Sequence, residues 1–139
     1  LHALDNLSNV ENIILLQPTS PLRKTKHIEE IFEIRSKYKS DSAVSVSLAR
    51  KNIDLYFTLD QGKRMMPYSD DLKLMPRQEY AESYTLNGAL YLSSSESILK
   101  KKSFISSSTI GYVMPEKYSV DIDNQFDWDI AEYLMSKFS

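Results

Sequence analysis

Residues 12–16, Asn-Ile-Ile-Leu-Leu, form a nearly wholly apolar run that Gln17-Pro18-Thr19-Ser20-Pro21 brings to a stop. Proline fixes φ and has no N–H to give a ladder, so Pro18 and Pro21 end a strand and stiffen the segment after it. A run so apolar is the pattern of a strand covered on both faces, as in a parallel sheet. From Thr25 the spacing turns helical, with Ile28, Ile31, Phe32 and Tyr38 on one stripe and Glu29, Glu30, Arg35 and Lys37 off it. Ser42 to Leu48 then sets Val44, Val46 and Leu48 against Ser45 and Ser47, a period of two that predicts a strand with one buried face. Strand, loop, helix and strand make a β-α-β unit. Ligands of open α/β sheets collect at the carboxyl ends of the strands, which makes residues 17–23 a predicted binding segment.

Further along, Asp54–Leu59 and Lys63–Met66 flank Gln61-Gly62 as a predicted hairpin, followed by an irregular polar stretch through Glu82. Tyr84–Leu92, Thr109–Met114 and Ser119–Asp123 read as strands, and Ser93 with Glu96 as a capping box for a short helix through Lys101. From Asp127, the positions Trp128, Ala131, Leu134, Met135 and Phe138 mark an amphipathic terminal helix. At 139 residues and 42% hydrophobic, the chain has the size and composition of one domain, 1–139. Seventeen Lys and Arg against nineteen Asp and Glu leave a formal charge of -2, so no global positive field points to nucleic acid or an anionic membrane. No cysteine is present, which excludes disulfides, thiolate metal sites and a cysteine nucleophile. With no apolar run near the length of a membrane span and no signal peptide, the chain reads as soluble and cytoplasmic. A first residue of Leu and only three glycines fit a piece of something longer.

The sharpest chemical signal is Asp121-Ile122-Asp123. Alternation along an extended segment sends both carboxylates to one face and Ile122 to the other. Paired carboxylates suit Mg²⁺, which takes one or two protein carboxylates together with substrate phosphate oxygens. The plainer reading is a solvated pair capping the helix that follows. In Asn87-Gly88-Ala89-Leu90-Tyr91, strict alternation puts Asn87, Ala89 and Tyr91 on one face and Gly88 on the other, either a polar platform for a sugar or base or an ordinary sheet with a hydrogen-bonded Asn. Arg23, Lys24 and Lys26 crowd the start of a helix, where the macrodipole favours anions, or are simply solvated. Arg77 offers a planar fork for a carboxylate or phosphate. His2 and His27 have no metal-ligand or triad spacing and receive no role, and Ser20 has no paired histidine or Gly-x-Ser-x-Gly elbow.

Taken in order, Leu16-Gln17-Pro18-Thr19-Ser20-Pro21-Leu22-Arg23, Arg77-Gln78, Asn87-Gly88-Ala89-Leu90-Tyr91 and Val120-Asp121-Ile122-Asp123 resemble the acylneuraminate cytidylyltransferases. Asp127 and Ala131-Glu132 continue the likeness. The resemblance implies a Rossmann-like nucleotidyltransferase of the glycosyltransferase-A type, α/β, three-layer, with a mostly parallel sheet, here incomplete at its N-terminus. It implies that the anomeric hydroxyl of a nine-carbon sugar acid attacks the α-phosphorus of CTP and releases pyrophosphate, with Mg²⁺ as cofactor. By position, Asp121 and Asp123 would hold the metal and act in catalysis, Gln17 and Arg77 would bind the sugar, and Asn87 and Tyr91 would line its pocket. A homodimer is implied too, with a dimerisation region within about 50–84 and 93–110 and Phe104 as the aromatic lent by a partner subunit.

One departure stands beside these matches. The family's opening loop, of the type Leu-Ala-Arg-x-Gly-Ser-Lys, has no counterpart here, so the chain reads as a carboxyl-terminal portion that lacks the nucleotide half of the site and is inactive alone. The other readings are a relative that activates 3-deoxy-manno-octulosonate or legionaminic acid, and a non-catalytic binding or assembly module built on the same fold.

Overall fold

The computed structural model describes residues 9–68 and 75–138, leaving the side chains of Arg77 and Phe138 outside that set; His2 falls outside it too. By its internal contacts the chain divides into a larger unit, residues 1–47 with 86–139, and a smaller one, residues 48–85.

The larger unit is an α/β arrangement built on a four-stranded sheet. Its strands are β1 (Asn12–Leu15), β2 (Ser42–Leu48), β5 (Tyr84–Ser94) and β6 (Ile110–Val113), in the spatial order β1-β5-β2-β6, while β3 (Phe57–Leu59) and β4 (Met65–Pro67) lie in the other unit. β1 pairs antiparallel with β5, and β2 pairs parallel with β6. Ser94 donates to Asp41 O while Leu90 donates to Ser45 Oγ, so β2 runs against β5 as well. The sheet is therefore mixed, not mostly parallel. The first two strands are not neighbours either, because β5 lies between them.

That order reverses the burial expected of the first two strands. Among the described residues β1, the apolar run, is paired on one side and leaves Leu15 exposed, whereas alternating β2 is paired on both sides and buried on both faces. The serines of β2 are accommodated there because each described one that is deeply buried is bonded: Ser42 Oγ to Thr109 Oγ1 at 2.7 Å, and Ser45 Oγ to Asn87 Oδ1 at 2.6 Å.

Helix α1 (Thr25–Lys37) follows the binding segment and turns Ile31 fully into the core, with Ile28 and Ile34 beside it. Ile31, Leu90 and Leu92, fully buried with Met114 and Ala89, contribute about 1.5–3 kcal/mol each for the large side chains. The Tyr112 hydroxyl donates to Glu30, and burial with that carboxylate beside it pushes its pKa well above the usual phenol value. Helix α2 (Ser95–Lys101) is capped by Ser94, whose Oγ accepts from Ser97 N, one residue later than the predicted Ser93. Helix α3 (Gln125–Phe138) begins two residues ahead of the expected Asp127. Asn124 Oδ1 accepts from Asp127 N and Asp127 Oδ2 accepts from Asn124 N, a reciprocal cap that fixes the start.

In the smaller unit, β3 and β4 pair antiparallel as the predicted hairpin, in a tighter span because Ile53–Leu55 forms a 3-10 turn. Asp60 Oδ1 accepts from Gly62 N and Arg64 N and so ties the loop. The ribbon shows much of its apolar surface to solvent, including Leu59, Met65, Met66 and Tyr68.

Candidate active site

The binding segment leaves β1 in the register that pairs Leu15 with Tyr91, and the chain continues past Ala89 and Gly88. Gly88 takes φ 73°, a conformation L side chains rarely adopt. A Cβ added there would stand 2.6 Å from Asp121 Oδ2 and 2.6 Å from Gln17 Oε1. Only a glycine leaves room for an amide and a carboxylate to meet over this strand. Two distant predicted site residues, Gln17 and Asp121, are thus brought together.

Asp121 reaches this place without being in a strand. Residues 119–123, predicted as one, form no ladder; Ile122 N instead donates to Thr19 O at 2.9 Å, hanging the segment on the loop after β1. The alternation expected across Asp121-Ile122 is kept. Ile122 lines an apolar groove of about 330 Å³ with Pro21, Trp128, Ala131, Glu132 and Met135, while Asp121 faces Gly88 and Gln17. Asp123 is exposed, its backbone N–H donating to Asp127 Oδ2 in the turn before α3.

Asp121 Oδ1 is buried and has no hydrogen-bond partner among the described atoms. An unsatisfied carboxylate oxygen away from water is costly, and a divalent cation is the group that most directly relieves it. The donor set fits Mg²⁺ in kind: hard oxygens from Asp121 and the Gln17 amide side by side, with Asp123 two residues on. Among the described residues no group of three or more His, Cys, Asp and Glu gathers, so any cation here takes the rest of its ligands from water and substrate.

Tyr91 is half-buried and stands edge-on to Phe104 of the same chain, ring centroids 5.9 Å apart. Burial, with the Asp121 carboxylate nearby, raises its hydroxyl pKa above the usual phenol value. Asp121 stands over Gly88, whose positive φ interrupts the regular strand conformation there. Asn87 is 3% exposed and its amide is engaged inward. Its Oδ1 accepts from Ser45 Oγ at 2.6 Å and from Ala89 N at 3.2 Å, and its Nδ2 donates to Ser119 Oγ at 2.9 Å. Arg77 opens the 3-10 turn Arg77–Glu79 of the smaller unit.

Two residues that the sequence left without a role have one here. Arg23, read as solvated, donates from Nη1 to the carbonyls of Gln17, Ser20 and Ala89. His27 is fully buried at the start of α1, where its Nδ1 accepts the Lys24 N–H at 3.0 Å and its ring packs on Tyr118 at 4.8 Å. Burial and the Lys26 charge lower its pKa. The sequence signal for it was the position, three residues after the cap, that a Glu or Gln takes in a capping box.

Compared with known proteins, the chain is 37% identical over 126 residues to the N-acylneuraminate cytidylyltransferase of Streptococcus agalactiae serotype V, covering 90% of this chain and 30% of the relative. The similarity is to cytidylyltransferases, over part of their length. To the N-acylneuraminate cytidylyltransferase of Escherichia coli O18:K1:H7 the chain is 30% identical over 139 residues, 98% of this chain and 32% of the relative. The CMP-N,N'-diacetyllegionaminic acid synthase of Legionella pneumophila is 34% identical over 128 residues, 90% of this chain and 54% of the relative. The chain thus spans about a third of the length of the cytidylyltransferases it matches first. No family model matches it. Among the described residues no helix is long and apolar enough to cross a membrane.

Proposed function

We propose that this chain is the sugar- and metal-binding part of a cytidylyltransferase that transfers CMP from CTP to a nonulosonic, sialic-acid-like sugar acid and releases pyrophosphate. The meeting of Gln17 and Asp121 over Gly88, with Asp121 Oδ1 buried and unpartnered, carries the reading. Asp121 and Asp123 would hold Mg²⁺. When bound, Mg²⁺ supplies charge neutralisation and orientation for the phosphate oxygens.

The protein's own groups supply position. Gln17 is held at the carboxyl end of β1 and can hydrogen-bond a sugar hydroxyl or carboxylate through its amide. Tyr91 carries a phenol hydroxyl, a donor at neutral pH for an acidic sugar. Phe104 packs on Tyr91 and forms an apolar wall for an acyl group. Arg77 is proposed for the sugar carboxylate. Asn87 acts from beneath, joining β2, β5 and the segment that carries Asp121.

A homodimer formed in part through residues 50–84 is also proposed. It is supported by the exposed apolar surface of the β3–β4 ribbon, since a two-stranded ribbon is marginal alone.

The test is calorimetric titration of the chain with CMP-sialic acid. Binding that requires Mg²⁺ and disappears in Asp121→Ala is the expected result; magnesium-independent binding that Asp121→Ala leaves intact would falsify the proposal. Likeness to a legionaminic acid synthase favours a second sugar within the same chemistry. Competition between CMP-sialic acid and CMP-legionaminic acid separates the two.

A further inference from the structure

Arg23 lies at the end of the binding segment, two residues before α1. Its Nη1 donates to Gln17 O at 2.7 Å, Ser20 O at 3.1 Å and Ala89 O at 3.3 Å. Those acceptors come from both sides of the site: two from the loop after β1, one from the residue that follows Gly88 in β5. Hydrogen bonds from an ionised donor are shorter and about twice as strong as neutral ones. The same loop is pinned again beneath, where fully buried Ser20 donates from Oγ to Asn87 O at 3.3 Å. Between the clasped carbonyls sits Thr19, whose own carbonyl accepts Ile122 N at 2.9 Å, the residue between the two aspartates.

We infer that Arg23 is a positioning residue of this site: its guanidinium locks the Gln17–Ser20 loop against Ala89 and so sets where Gln17 Oε1 and, through the Thr19–Ile122 bond, Asp121 stand over Gly88. This rests on the cytidylyltransferase reading above. Arg23 itself contacts only backbone carbonyls in the described structure, so its effect on a ligand passes through the loop. Lysine carries the charge without the planar fork and is a partial substitute.

The experiment uses the ¹⁵N-labelled chain, titrated with CMP-sialic acid in Mg²⁺ and followed by amide exchange. In Arg23→Gln, the Ile122 amide is expected to exchange about tenfold faster and the magnesium-dependent affinity to fall about tenfold, the scale of one charge-assisted hydrogen bond. Arg23→Lys should recover part of both. Tyr112→Phe, which removes a buried hydroxyl bonded to Glu30 in the same unit, should lower the melting temperature without changing affinity. A folded Arg23→Gln protein that binds as tightly as the parent overturns the inference alone. So does an equal loss of affinity in Tyr112→Phe, since that would make the effect general destabilisation. A parent chain that shows no magnesium-dependent shifts at all defeats the site reading, and this inference falls with it.

Discussion

The two units differ in how much they bury: both expose large apolar side chains, but none of the described residues 48–85 is buried. The larger one buries Ser20, Ser42, Ser45, Ser93, His27 and Asn87, while the smaller leaves Leu59, Met65, Met66 and Tyr68 more than half exposed. Each departs from the simple rule of apolar inside and polar outside, and for a different reason. In the larger unit Ser20, Ser42, Ser45, Ser93 and Asn87 bond to the backbone or to other polar side chains, so they add direction to a core whose apolar part, around Ile31 and Leu90, already supplies the burial. In the smaller unit the exposed apolar side chains have no such internal explanation and are the surface on which association would draw. Removing a buried polar group should therefore damage folding, and removing an exposed apolar one should damage assembly.

The largest expected effect is at Asn87. Replacing it with Leu removes the acceptor of Ala89 N–H and a donor to Ser119 Oγ, and leaves the Ser45 hydroxyl only the longer bond to Leu90 O. A loss of about 2–4 kcal/mol is expected in urea unfolding. A loss under about 1 kcal/mol would mean the network is not what holds this unit.

Gly88→Ala comes next, since the new methyl meets Asp121 and Gln17 at 2.6 Å while φ stays at 73°. Strain of about 1–2 kcal/mol is expected from the backbone alone. Magnesium-dependent ligand binding should fall further than stability does, because the two displaced oxygens are those of the site. A variant that binds normally would show that they are not.

At His27 the comparison can be sharpened with pH. Its pKa in the fold lies below the ordinary 6.5, so the neutral form is favoured by folding. The stability it contributes is present above the unfolded pKa and is lost as pH falls from there toward the lowered folded value. The steepest slope is about 1.4 kcal/mol per pH unit for one proton. His27→Gln, which keeps a side-chain acceptor for the Lys24 N–H, should flatten that slope in melting curves taken from pH 7 downward. A slope that stays unchanged would assign the acid sensitivity to other groups.

The smallest stability change is expected on the ribbon. Met65→Ser, at a side chain 62% exposed, should shift unfolding by no more than about 0.5 kcal/mol. In sedimentation, the same change should weaken self-association if the ribbon is the interface. A monomeric parent would remove that role from the ribbon.

How far the sequence could be read differs from element to element. Helix α1 and the hairpin were legible because their signals, a 3.6-residue stripe and a Gln-Gly turn between short runs, are local. The strands β1 and β2 were found but their places were exchanged. An apolar run looks central and an alternating one looks half-buried, yet among the described residues β5 lies between them, so β2 is paired on both sides and β1 on one. Motif order singles out Asp121 and Gln17, whereas their meeting point lies over a glycine at positive φ, a backbone conformation that residue spacing does not reveal. Arg23 was misread because a cation near a helix start looks solvated until the three carbonyls that surround it are brought there by loop and sheet.

The sequence by itself determined the α/β class and the order of the motifs, since each depends on residues near one another in the chain. The tertiary structure decided that β5 lies between β1 and β2, that Asn87 faces inward, and that one oxygen of Asp121 is enclosed without a partner among the described atoms. Those outcomes follow from contacts between residues dozens of positions apart. Burial and hydrogen-bond partnership are properties of such contacts, and local spacing carries no record of them.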